Sequence, residues 1–387
     1  MKIVHTSDWH VGCRLYDNDR SADHRHMASK IIEICRDRRP DALLIAGDLF
    51  DNDRPSAADE RLVADTLARL HAEVPEMTVI AIAGNHDSPS RHESHEAVYA
   101  AAGVVMIGRI TDRDPDWPGR YIIDVGAGVV VAVPFYIAKG TDLARLMAEA
   151  DKIADGRPVV AMGHTTLRGS DTTGHDPRII GSLEAVEASE FLPPSSYDYL
   201  ALGHIHRSQR VGAMGRIRYS GSPLAVSFDE AYPHSVTWVE IERRGDIPAT
   251  GKIEIDQPRP LVTLPSPGRW VALDEALECL REFPDDTEAF VRLNVKTDRA
   301  LPASANDDAR RAAVGKRCRV CHINVRRQAE AVSESGASGM SVDELRMVAP
   351  ADVARLYAQS VGVALDEELF DEILTQLTTV NPDDETA

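Results

Sequence analysis

Short apolar runs that end at a glycine or another small residue recur through the first two thirds of the chain, and they set the expected architecture. IVHT (3–6), DALLIAGD (41–48), TVIAIAG (78–84), VVMIG (104–108), VVVAVP (129–134), PVVAMGH (158–164), YDYLALGH (197–204) and SVTWVEIE (235–242) read as strands. Between the first two runs, Met27, Ile31, Ile32 and Cys35 fall at helical spacing. Between the next two, Ser56 with Asp59 and Glu60 resembles a capping box, and Leu62, Val63, Leu67 and Leu70 form the apolar stripe behind it. This βαβ spacing predicts parallel strands. The shorter gaps within YIIDVGAGVVVAV and within IRYSGS…VTWVEIE predict hairpins, so the expected fold is an α/β sandwich of mixed sheets flanked by helices.

After residue 255 the pattern changes. QPRPLVTLPSP reads as a proline-rich link and DEALECLREF as a short helix. FVRLNVKTD and CHINVRRQ read as strands around a helical DDARRAAVGK, which suffices for a small α+β cap module. SESGASGM has linker composition, and the stretch after it has helical apolar spacing in two pieces before a tail, NPDDETA. The expected division is 1–255, a cap at 256–332, a linker at 333–340 and a helical element at 341–380.

With 387 residues the chain exceeds what one core usually serves. Its five cysteines (Cys13, Cys35, Cys279, Cys318 and Cys321) are odd in number and scattered, which argues against a secreted disulfide framework. No apolar signal core or bilayer-length run is present, so a cytoplasmic protein with no membrane association is expected. A net charge of −19 means that any contact with nucleic acid needs local Arg/Lys clusters, bound cations or a partner. Cys318-Arg319-Val320-Cys321-His322 matches the haem-attachment pattern, but without export signals structural cysteines are expected instead.

Candidate chemistry sits where the strands stop. The endings are Asp8-Trp9-His10, Gly47-Asp48, Gly84-Asn85-His86-Asp87, Gly163-His164 and Gly203-His204-Ile205-His206. In an open α/β sheet the carboxyl ends of parallel strands gather along one edge, so distant segments converge there. Two carboxylates, one amide oxygen and four imidazoles, besides His86, suit Mn²⁺, Fe²⁺ or Zn²⁺. Seven ligands are too many for one tetrahedral ion, whereas two ions sharing a carboxylate would use them all and could clamp a phosphoryl group.

The order DxH, GDxxD, GNHD, GH and GHxH resembles the calcineurin-type metallophosphoesterases. HTSDWHVG, AGDLFDNDRPS, AGNHDSP, LGHIHR and YSGSPLAVSFDE are further similar to the wording of the SbcD-type nucleases. The resemblance implies one ion on Asp8, His10, Asp48 and His206 and another on Asp48, Asn85, His164 and His204, with Mn²⁺ as the metal. It implies His86 as general acid to the leaving 3′ oxygen, turned away from the ions if Asn85 faces them. Asp51 would hold His86 in a His–Asp pair, or else simply begin a loop, and Asp87 reads as a turn residue. The implied activity is 3′→5′ exonuclease action on duplex DNA and endonuclease action on single strands or hairpins. The implied setting is DNA repair, recombination and replication, as a homodimer within a heterotetramer with an SbcC-like SMC-type ATPase.

Arg14, Tyr16, Arg25, Arg54, Arg91 and Arg207 lie beyond the metal loops and are candidate DNA contacts. Lys316, Arg317, Arg319, Arg326 and Arg327 make the cap locally basic, and each of these cations reads equally well as a solvated surface residue. His24, His26, His92 and His95 read as surface residues or DNA contacts. Val353, Leu356, Tyr357, Leu369, Ile373 and Leu377 would be the face gripping the ATPase. The competing readings are a small-substrate phosphodiesterase or phosphatase of the same superfamily, and a non-catalytic scaffold that binds DNA ends.

Overall fold

Strands buried on both faces need apolar side chains at every position, and the glycine-terminated runs supply them. The computed structural model describes residues 1–94, 96–174 and 185–327. One sheet runs in the order Ala249–Glu254, Ser235–Glu240, Lys2–Thr6, Ala42–Ala46, Thr78–Ile82, Val104–Ile107, and its last four strands are parallel. The other runs Gln209–Val211, Ile217–Tyr219, Tyr199–Gly203, Val159–His164, Val129–Ala132, Ile122–Asp124, with its middle four strands parallel. Ile3, Leu44, Ile80 and Ile82 meet Val130, Ala161, Leu200 and Leu202 in a core shared by the two sheets. The alternate residues Val4, Leu43, Ile45 and Val79 pack on Met27, Ile31, Leu67 and Leu70 of the helices Ser21–Arg38 and Ala57–Glu73. Ser56 caps the second helix with the expected box: its side chain accepts from Asp59 N, and Asp59 accepts from Ser56 N.

One hairpin forms as expected, Ile122–Asp124 against Val129–Ala132. The other does not. Ile217–Tyr219 pairs with Gln209–Val211 in one sheet, whereas Ser235–Glu240 lies in the opposite sheet between Lys2–Thr6 and Ala249–Glu254. The intervening SGSPLAVSFDE stretch crosses between sheets instead of turning back, and the buried Arg218 reaches across to Thr237 Oγ1 at 3.1 Å.

The small module is a sheet of Leu261–Leu264, Phe290–Thr297 and Arg319–Arg327 with the helices Leu273–Glu282 and Ala305–Ala312 over a core of Leu277, Leu280, Leu293, Val295 and Ala309. Leu261–Leu264, expected as link, is instead an edge strand pairing with Leu261↔Phe290 register; the edge tolerates the flanking Pro260 and Pro265. Residues 1–326 form one compact unit, and Leu15, Phe228 and Phe290 join the small module to the sandwich. The CxxCH cysteines are free thiols: Cys318 lies in the module core, and Cys321 receives Asn18 Nδ2 at 3.3 Å. The linker at 333–340, the helical element at 341–380 and Val353, Leu356, Tyr357, Leu369, Ile373 and Leu377 lie outside the described residues, as does His95. No helix among the described residues is long and apolar enough to cross a membrane.

Two histidines expected at the surface are core residues: His24 and His92 are both buried, and His26 pairs with Asp256 at 2.9 Å. Burial pushes His24 down to about 4, and burial together with Arg218 pushes the inter-sheet His5 down to about 3. A folded-state value below the unfolded one means that the unfolded chain takes up the proton first. Stability is therefore lost as pH falls below about 6.5, at roughly 1.4 kcal/mol per pH unit for each group. The thermal midpoint should drop steadily from pH 6.5 to 4.5, and less steeply in His24→Gln. Identical slopes for the variant and the parent protein would refute the assignment.

Candidate metal centre

Both sheets deliver the ends of parallel strands to one place, and the chain enters each turn in an unusual conformation. Asp8, His10, Asp48 and His204 all have positive φ, at 54°, 44°, 49° and 93°. Side chains seldom adopt that region, and such residues concentrate where surrounding structure holds them for function. The glycines before the ligands are required by closeness. A Cβ on Gly47 would stand 2.1 Å from His164 Nδ1, and one on Gly84 would stand 2.1 Å from Asp48 Oδ1.

The structure brings all seven expected ligands together. Ligand atoms of Asp8, His10 and His206 lie within 4.8 Å of one another, as do those of Asp48, His164 and His204. Asp48 stands between the groups: its Oδ2 is 3.3 Å from His164 Nε2 and 3.8 Å from His10 Nε2. Asn85 turns its Oδ1 into the second group, 3.0 Å from His164 Nε2 and 2.9 Å from His204 Nδ1. His10 and His206 face each other through their Nε2 atoms at 3.2 Å. Two carboxylates only 1% and 2% exposed, surrounded by imidazoles and an amide oxygen, form a donor set that fits a pair of divalent transition ions.

A second layer aims these donors, and most of it was not legible in the motifs. His164 Nδ1–H donates to the Ala46 carbonyl at 2.8 Å, and His206 Nδ1–H donates to Glu230 Oε1 at 3.0 Å, so each keeps Nε2 for the centre. Asp8 accepts Ser7 Oγ at 2.5 Å and the His204 amide at 2.9 Å, which ties the DxH and GHxH turns together. Asp87, fully buried, does more than shape its own turn. It accepts Gly84 N at 2.9 Å, Leu49 N at 3.1 Å and Phe50 N at 2.9 Å, and so fastens the turn bearing Asn85 to the loop bearing Asp48.

His86 and Asp51 depart from expectation. His86 does not turn away: His10, Asp48 and His86 form a third set of close ligand atoms, and its ring stands edge-on to His10 at 4.8 Å. The two neighbours Asn85 and His86 both point inward, because Asp48 Oδ1 takes the His86 amide at 2.9 Å and folds the turn around itself. Asp51 does meet His86, but through its main-chain carbonyl, which accepts His86 Nδ1–H at 2.8 Å. The Asp51 carboxylate faces His10 Nδ1 at 3.4 Å instead. Burial opposes charge throughout this cluster. The carboxylates win at two rings: His10 rises to about 9 beside Asp51 and Asp48, and His164 rises to about 9 beside Asp48, whereas burial and the neighbouring His10 push His206 down to about 3. Asp48 in turn, despite its burial, is held well below the usual carboxylate range by His164 and His10.

The candidate DNA contacts separate. Arg54 and Arg91 share a shallow pocket with Ser88, Ser90 and Ser94, just past His86, and Arg91 is paired with Glu60 at 2.7 Å. Arg14 and Tyr16 are exposed on the loop after His10, where Tyr16 stacks on His322 with centroids 4.5 Å apart. Arg25 instead lines a groove between the helices Ser21–Arg38 and Ala57–Glu73, and Arg207 is engaged by Asp171. In the small module, Lys316 is a half-buried link to Phe283 O and Asp285, both at 2.6 Å, and Arg317 is paired with Glu288; Arg319, Arg326 and Arg327 are exposed.

Residues 1–208 match the family model of the calcineurin-like phosphoesterases, and residues 257–361 match that of the type 5 capsule protein repressor C-terminal domain. The chain is 34% identical to the D-subunit of nuclease SbcCD from Rhodobacter capsulatus over 78% of its own length and 82% of that protein. It is 30% identical to the protein of the same name from Escherichia coli K12, over 78% and 79% of the two chains, and 29% identical to that of Bacillus subtilis 168, over 76% and 79%. With five ligand-bearing strand ends converging on a centre fit for two ions, the chain belongs to the calcineurin-like phosphoesterase family, in the branch of the SbcD nucleases.

Proposed function

We propose that the protein is a two-metal DNA nuclease that hydrolyses phosphodiesters at DNA ends and hairpins, as 3′→5′ exonuclease on duplex and endonuclease on single strands. The observation that carries the proposal is the pair of ligand groups with Asp48 standing between them. Asp8, His10, Asp48 and His206 would hold one ion and Asp48, Asn85, His164 and His204 the other, with Mn²⁺ the favoured metal for this N/O set. When bound, such a pair neutralises phosphoryl charge and supplies an activated water near neutral pH. The neutral Asn85 oxygen leaves more net positive charge at the centre than a third carboxylate would.

His86 acts on the leaving side. Its Nδ1–H is committed to the Asp51 carbonyl, so Nε2 is the atom that delivers a proton to the departing 3′ oxygen. The Asp51 carboxylate fixes the His10 ring, and its main chain fixes His86. Arg54, Arg91, Arg14 and Tyr16 would receive the DNA backbone and bases beside the site. The small module caps that surface, and residues 341–380 engage an SbcC-like SMC-type ATPase, with the nuclease working as a dimer within a heterotetramer in DNA repair and recombination.

The reading is tested by incubating the protein, with and without the ATPase, with Mn²⁺ and end-labelled duplex DNA, hairpin DNA or bis-p-nitrophenyl phosphate. Cleavage of DNA is expected. Hydrolysis of the small diester with DNA untouched would favour a small-substrate phosphoesterase, and no hydrolysis of either a DNA-end scaffold. A separate measurement concerns loading. Without metal, His10 and His164 carry protons up to about pH 9. Metal must displace them, so titration at pH 7.5 should release about two protons, and affinity should rise with pH towards 9. Calorimetry in buffers of different ionisation heat would show no proton release if the imidazoles were already neutral.

A further inference from the structure

Glu230 is nine-tenths buried and its carboxylate is fully engaged: Oε1 accepts His206 Nδ1–H at 3.0 Å and Ser227 N at 3.1 Å, and Oε2 accepts Val226 N at 3.3 Å. The main chain of its own loop thus fixes where the carboxylate points, and the carboxylate fixes where His206 points. The loop is pinned at its start, where Ser222 N donates to the His206 carbonyl at 3.0 Å. At its far end it is held by the small module. Arg292 pairs with Asp229 at 2.9 Å, donates to the Phe228 carbonyl at 3.4 Å and lies over the Phe228 ring at 5.1 Å.

Resting on the two-metal reading above, we propose that Glu230 is the positioning residue for the ion on the Asp8–His10–His206 side. Arg292 completes it, so that the seating of the small module sets the aim of His206. A carboxylate on the second nitrogen fixes the imidazole tautomer and raises its basicity towards metal, and a lost partner of this kind costs about 10–100-fold in affinity. The second group is braced elsewhere: His164 leans on the Ala46 carbonyl inside the sandwich. The structure therefore makes the two ions unequal, one held by the sandwich alone and one sensitive to the neighbouring module. A partner that shifts the module would change the occupancy or geometry of that one ion.

Mn²⁺ titration of the full chain, followed by the electron paramagnetic resonance of free Mn²⁺ and by calorimetry, tests this. Two ions are expected for the parent protein. E230Q should weaken one ion by about 10–100-fold and leave the other nearly unchanged. R292A should weaken the same ion by a smaller factor and add nothing in the double variant. R292A alters no residue of the ligand loops, so it keeps the proposal testable should E230Q fail to fold. Equal weakening of both ions, or no change in either variant, would overturn it, because a residue that merely stabilised the fold would leave the ratio of the two affinities alone. A parent protein that binds fewer than two ions would instead defeat the two-metal reading itself.

Discussion

His86→Gln should lower DNA cleavage by about 10²–10⁴-fold, the usual contribution of a positioned proton donor. The loss should depend on the leaving group. A 3′ alkoxide of DNA departs poorly unless protonated as the bond breaks, whereas a p-nitrophenolate is stable enough to leave bare. The variant should therefore lose far more activity on DNA than on bis-p-nitrophenyl phosphate, with both ions still bound. This comparison matters because the structure places His86 among close ligand atoms with His10 and Asp48. If His86 were a ligand, the variant would lose an ion and both substrates would suffer alike. Its Nδ1 contact with the Asp51 carbonyl fixes the orientation of the ring and leaves Nε2 to face the departing oxygen.

The candidate ligands are legible in the sequence because each is announced twice, by an apolar run that builds a strand and by the small residue that lets the chain turn. Gly47 and Gly84 are explained by contact: each leaves room for a ligand from another strand. What surrounds the ligands is not legible. Glu230 stands in view within YSGSPLAVSFDE, but its partner lies on another turn and nothing in the local pattern points from one to the other. The same loop reads as part of a hairpin, since periodicity describes strands and is silent on which sheet they join. Asp51 shows the finest limit: spacing brings it beside His86, yet only the folded loop decides that its carbonyl, not its carboxylate, makes the contact. His24 and His92 read as surface residues because histidine has no fixed burial preference, and the buried face of their helices follows only from the sheet beneath.

Asp87→Ala should be the most destabilising single change near the site, although Asp87 belongs to neither ligand group. Its carboxylate takes three buried amides, Gly84, Leu49 and Phe50, from two loops. Each donor left unsatisfied costs about 1–3 kcal/mol, and with partial relaxation the total is expected near 3–5 kcal/mol. For a unit of this size that corresponds to a fall of roughly 10 °C in the thermal midpoint. Asp87→Asn retains one acceptor oxygen but must turn its amide towards an N–H donor, so it should recover only part of the loss. The two loops carry Asp48 and Asn85, so both ions should bind more weakly once the fastening is gone, in contrast to the one-sided effect expected at Glu230. Thermal unfolding of the metal-free protein, followed by Mn²⁺ titration of whatever remains folded, separates the stability effect from the metal effect. A midpoint within a degree or two of the parent would show that the three amides find other partners, and the fastening role would have to be abandoned.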